Sequence, residues 1–168
     1  DSWAVGQLFP VMPIHRLKEE PHHEATLADL TCDSDGKIEK FIDSKTGEYK
    51  RTLQVHHVKE NDPYYLGVFL TGAYQEILGD LHNLFGDTDA VHISMGPAGY
   101  TIDHYVPGDT VTEVLSYVQY DRNRMIDNVR QASEEFIQKG SISKQEAKLL
   151  IKHYEEGLSG YTYLEDLE

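Results

Sequence analysis

At 168 residues, the chain has room for one sizeable domain, or for a small one with an appendage, and 15 Lys and Arg against 29 Asp and Glu give it a formal charge of -14. That field repels phosphate backbones and anionic bilayers, the single cysteine closes no internal disulfide, and no apolar run approaches the roughly 20 residues of a membrane span. Neither nucleic acid nor a membrane is expected as a partner, and without the basic and apolar regions of a signal peptide the cytosol is the expected compartment.

Residues 1–14 are largely apolar and lack an initiator methionine, so further chain is expected before Asp1. From about Ala25 to Val106, short apolar runs between turn residues predict strands. The run Ala25 to Leu30 leads into Thr31-Cys32-Asp33-Ser34-Asp35-Gly36, where the only thiol stands beside acidic residues. Charged neighbours favour the partial exposure in which cysteine chemistry becomes useful. An ordinary strand-to-turn junction, with Asp35-Gly36 as the turn, accounts for the same residues, and composition leaves both readings open.

Lys37 to Asp43 alternates with Ile38 and Ile42 on one face, Asp43 to Gly47 reads as a loop, and Lys50 to Val58 alternates through Leu53 and Val55, which predicts a hairpin. Tyr64 to Leu70 is a near-continuous apolar run suited to a strand buried on both faces. Ala73 to Leu84 breaks the alternation: Ile77, Leu78, Leu81 and Leu84 share a helical face, so a short helix is expected there. Val91 to Met95 pairs with Tyr100 to Val106 across Gly96-Pro97-Ala98-Gly99.

After Pro107 the period becomes helical. Thr110 with Glu113 and Ser143 with Glu146 are capping boxes. Met125, Val129, Ala132 and Phe136 form one apolar stripe, and Ala147, Leu150, Ile151, Tyr154 and Leu158 another. The expected class is α+β: an antiparallel β-sandwich or Greek-key, barrel-like domain over residues 1–108, with a short helix near 74–84, followed by a helical subdomain over 109–168.

Outside the thiol segment, polar and aromatic residues crowd Gly72 to Gly86. Gly72-Ala73 permits a bound group to approach the backbone at Tyr74, whose hydroxyl is suited to donate to an anion, although a buried tyrosine with a satisfied hydroxyl explains it equally. The adjacent histidines at 22–23 and 56–57 point to opposite faces of a strand, so neither pair chelates one metal and no metal site is expected. No Gly-rich phosphate loop, zinc signature or Gly-x-Ser-x-Gly elbow is present.

Taken together, Thr31-Cys32-Asp33, then Gly72-Ala73-Tyr74, then Asn83 nine residues after that tyrosine resemble the C-terminal domain of the fold-III pyridoxal-phosphate decarboxylases. Within that family the segments Asp1 to Pro10, Asp29 to Gly36, Gly72 to Asp87 and Gly160 to Glu165 are similar to the biosynthetic arginine decarboxylase branch. The resemblance implies an enzyme converting L-arginine to agmatine and carbon dioxide in polyamine (spermidine) biosynthesis, with this chain as its last quarter or so. It implies pyridoxal 5'-phosphate held mainly by the lysine of a preceding barrel domain, magnesium as a family cofactor, and a homo-oligomer, dimer or tetramer, with shared active sites.

On matching positions, the resemblance makes Cys32 the acid that returns a proton to Cα, contributed to the partner subunit's site. A thiol of pKa about 8.5 suits that work near neutral pH. Asp33 faces the far end of the substrate, and Tyr74 contacts the cofactor phosphate. Asn83 matches an asparagine at the site's edge, and His82 and Asp1 are further substrate-binding positions by the same resemblance. A carboxylate accepts from a planar guanidinium at two points, so Asp33 fits a basic substrate. Diaminopimelate decarboxylases typically carry Glu after this cysteine, whereas ornithine and lysine stay open on Asp33 alone. Without its barrel the chain is expected to be inactive. A non-catalytic interaction module is the alternative, but such a module has no need for Cys32, Asp33 and Tyr74 together.

Overall fold

A computed structural model describes residues 7–30, 36–43, 45–60, 62–72 and 81–163, His82 by its backbone only. The chain forms two compact units, Asp1–Gly79 and Asp80–Glu168.

The first unit consists of short antiparallel pairs. β1 (Val11–Pro13) pairs with β6 (Leu66–Val68), β2 (His23–Ala25) with β5 (Leu53–Val55), and β3 (Phe41–Ile42) with β4 (Tyr49–Lys50). Strand alternation sets the interior. Val11 and Pro13 turn in while Met12 turns out, and Leu53 and Val55 turn in around Gln54. Val11, Ile38, Leu53 and Val55 meet on Phe41, which is 2% exposed, with Ala25, Leu27, Tyr64 and Leu66 around them.

The expected hairpin about Asp43 to Gly47 forms: the Asp43 and Gly47 amides donate to the Glu48 and Asp43 carbonyls. Its return strand is divided, however. Tyr49–Lys50 stays with β3, while Leu53–Val55 crosses to β2 because both of its apolar residues are needed in the core. Phe41, rather than Ile42, is the fully buried partner of Ile38. The run Tyr64 to Leu70 is not buried on both faces. Only Leu66–Val68 is strand, paired on one side, and Tyr65, Phe69 and Leu70 are exposed.

His56 and His57 do face opposite ways. His56 is buried, with its amide and its ring Nδ1 2.8 and 2.7 Å from the Tyr64 hydroxyl and its Nε2 3.0 Å from the Glu19 carbonyl. The phenol oxygen accepts the amide proton and gives its own to Nδ1, and Nε2–H donates to Glu19, so the phenol, the His56 amide and both ring nitrogens are satisfied.

The second unit contains the predicted hairpin, β7 (Ala90–Gly96) and β8 (Gly99–Val106), which has a register shift between His92 and Ile93. Three helices follow: α1 (Val111–Tyr117), α2 (Arg122–Gln138) and α3 (Lys144–Ser159). Both capping boxes form, and Asp121 caps α2 by accepting from the Arg124 amide. The expected α+β order is thus observed, with the strands joined two by two and no closed barrel among the described residues.

The stripe on α2 is rotated from the expected one. Ile126 and Ser133 are buried, whereas Ala132 is exposed and Phe136 is 49% exposed, flanked by Lys139. On α3, Ala147 and Leu158 are buried but Leu150 is half exposed. Ser133 can take an inward position because its hydroxyl donates to the Val129 carbonyl at 2.7 Å, and being small, like Ala147, it lets helices approach where phenylalanine would not.

The caps make these helices acid-sensitive. Donation from the Thr110 amide, then its hydroxyl, holds the Glu113 carboxyl below the usual range, and Ser143 does the same for Glu146. A carboxyl with a lowered folded-state pKa contributes stability that is complete above its unfolded value, about 4.3, and is lost as pH falls through the folded one. Far-UV circular dichroism melts should therefore hold their midpoint from pH 7 to about 5 and fall below that. The double variant Glu113→Gln, Glu146→Gln should show a shallower acid slope than the parent.

Candidate functional site

The second unit's candidate residues, His82 and Asn83, sit in a turn with unusual backbone. His82–Leu84 forms a single 3₁₀ turn, and Leu81, Asn83 and Leu84 have φ of 48°, 54° and 67°. Asparagine tolerates this left-handed region, but leucine does so at a cost of about 1–3 kcal/mol, and such positions persist only where their surroundings over-determine them. Asn83 itself is exposed.

Those surroundings are built from three separated segments. The Phe85 ring stacks on Tyr163 at 5.1 Å between centroids, with Tyr161 5.2 Å beyond. Gly86 is buried; its amide donates to Thr162 Oγ1 at 3.0 Å and its carbonyl accepts from the Tyr163 hydroxyl at 2.9 Å. The Asp87 amide donates to Asp109 Oδ2, the Asp89 amide to the Tyr161 hydroxyl, and the Gly108 amide to Asp89 Oδ1, at 2.8, 3.0 and 2.7 Å. A Cβ on Gly86 would overlap Asp109 and Val114, and one on Gly108 would overlap the Asp87 carbonyl and the Tyr161 ring, so both positions need glycine for closeness.

On the first unit, residues flanking 31–35 are fixed. Ala28 bridges Lys37, the Asp29 amide donates to the Gly36 carbonyl at 3.0 Å, the Ile38 amide donates to Leu27 at 2.8 Å, and Gly36 takes φ 81°. This antiparallel pairing ties residues 27–29 to residues 36–38, which end on Ile38 in the Phe41 core.

Of the sequence-predicted site residues, Asp1, Cys32, Asp33 and Tyr74 lie outside the described residues, as do Asp35 and most of the helix expected over 73–84. His82 opens the described turn, and Asn83 stands at its centre. Sequence reasoning did not pick out Thr162, Tyr163, Tyr161 and Asp109 as partners of this turn. The available signal was two tyrosines and a threonine just past a helix end, in a segment with no helical period, and glycines next to Asp87 and Asp109.

Residues 111–164 match the family described as arginine decarboxylase C-terminal helical extension. The chain is 57% identical to the biosynthetic arginine decarboxylase of Gloeobacter violaceus, covering 98% of this chain and 26% of that protein. It is 53% identical to the one from Bacteroides thetaiotaomicron, again over 98% of this chain and 26% of the relative. Its backbone is similar to the crystal structure of the biosynthetic arginine decarboxylase of Campylobacter jejuni, with a TM-score of 0.79 and 31% identity, covering 99% of this chain and 27% of that one. The chain thus spans about a quarter of the length of the relatives it matches. Over nearly its whole length, the chain is thus similar to the C-terminal portion of biosynthetic arginine decarboxylases, and its residues 111–164 match the helical extension of that family.

Proposed function

We propose that this chain is the part of an arginine decarboxylase that supplies the proton donor and the guanidinium-binding carboxylate for conversion of L-arginine to agmatine and carbon dioxide. The observation that carries the reading is 57% identity across 98% of the chain to an enzyme of that name, spanning the Thr31-Cys32-Asp33 segment.

Decarboxylation removes one bond from Cα and must replace it with one to hydrogen. The Cys32 thiol gives that proton and regains one from water. Asp33 accepts from the guanidinium in a two-point, charge-assisted contact, which fixes the distance between the far end of the substrate and the reacting carbon. Asn83, exposed on its held turn, donates and accepts at the site's edge, His82 is a further substrate-binding position, and the Asp1 carboxylate accepts from the substrate.

Pyridoxal 5'-phosphate, when bound, supplies the electron sink for the bond that breaks. A phenol at Tyr74 is a suitable donor to its phosphate, so the donor set fits a cofactor otherwise held by a barrel domain of the same enzyme. For magnesium, no group of three or more His, Cys, Asp or Glu that could hold a metal occurs among the described residues, and no step is assigned to it. Shared sites in a homo-oligomer, and a cytoplasmic setting, complete the reading. No helix among the described residues is long and apolar enough to cross a membrane.

The test is agmatine and carbon dioxide formation by the full-length chain. Asp33→Asn should raise KM for arginine by at least about tenfold, because one partner of a charge-assisted pair is removed. Unchanged kcat/KM for arginine in that variant would remove Asp33 from the site.

A further inference from the structure

We propose that Tyr163 and Thr162, at the end of the helical extension, are positioning residues that hold the Asn83 turn in its binding geometry. The inference rests on the proposed role of Asn83 and extends it to residues about eighty positions away in the chain.

Three left-handed residues within four positions form a turn that relaxes unless held. Immediately after it, both polar backbone groups of buried Gly86 are taken by the C-terminal segment: the amide by Thr162 and the carbonyl by Tyr163, while Phe85 stacks on the same tyrosine. The strap is itself tied down. The Val111 amide donates to the Gly160 carbonyl at 2.9 Å, the Thr162 amide to Asp109 at 3.3 Å, and Thr110 bridges Tyr161.

The start of α1 and the end of α3 are therefore joined, and together they present residues 161–163 to the turn. On this reading the helical extension is part of the site's supporting structure. Its hydroxyls convert a fold contact into the placement of one amide side chain, and a misplacement of about 1 Å suffices to break the hydrogen bond that side chain makes to substrate.

The experiment is a double-mutant cycle in the full-length enzyme between Tyr163→Phe, which keeps the ring stack and removes the hydroxyl, and Asn83→Ala. Tyr163→Phe should raise KM for arginine by about tenfold with kcat nearly kept, and that effect should vanish in the Asn83→Ala background. Amide hydrogen exchange across residues 81–86 should quicken in Tyr163→Phe while α2 and α3 stay protected. If Tyr163→Phe does not yield folded enzyme, Thr162→Val is read in the same cycle.

An unchanged KM in the strap variant, or an equal loss with and without Asn83, overturns the proposal. Failure of the underlying role looks different: Asn83→Ala alone then has the parent KM, whatever hydrogen exchange shows.

Discussion

Cys32→Ala in the full-length enzyme lowers kcat for arginine by about 10²–10⁴-fold, the usual contribution of a positioned proton donor, with little change in KM. The thiol is proposed to act only once carbon dioxide has left, so its loss leaves substrate capture by Asp33 intact. Steady-state kinetics followed by agmatine release provide the measurement. A variant that keeps the parent kcat would assign Cys32 to the plain strand-to-turn junction that composition also allows.

Phe41→Ala costs about 3–5 kcal/mol in the first unit, the range for deleting a buried phenylalanine. Phe41 is 2% exposed in a core whose other buried members are Val11, Ile38, Leu53 and Val55. Few neighbours are available to collapse into the space, so cavity and transfer costs both apply. Urea unfolding followed by a probe in that unit measures it, with Phe69→Ala, at a 42% exposed position, as the control expected to lose far less. Because Ile38 and the pairing of 27–29 with 36–38 rest on this core, the variant should also lose activity at temperatures where its first unit is still folded. A loss below about 1 kcal/mol would mean that the core is not centred on Phe41.

Much of the local structure was legible in the chain. The β7–β8 hairpin declares itself by alternation on either side of Gly96-Pro97-Ala98-Gly99, and the capping boxes at Thr110 and Ser143 are read from two residues each, because their hydrogen bonds span only three positions. Alternation misled where partners were decided at long range. Lys50 to Val58 reads as one strand, yet its first residue pairs with Phe41 and its Leu53 and Val55 with Ala25 and His23. The stripe through Ala132 and Phe136 was equally regular, and lost its inward place to Ile126 and Ser133 because close helix contact favours a small, self-satisfied side chain over a ring.

The site divides in the same way. The family resemblance groups Cys32, Asp33, Tyr74 and Asn83 as a proposed set, of which Asn83 alone lies among the described residues. It did not show what holds Asn83. Leu81 and Leu84 carry no mark of a left-handed backbone, and nothing local joins Gly86 to Thr162 and Tyr163. Those contacts exist because α1 and α3 return the end of the chain to its own hairpin's base, a closure whose hydrogen bonds and ring stacking appear only once the helices are packed.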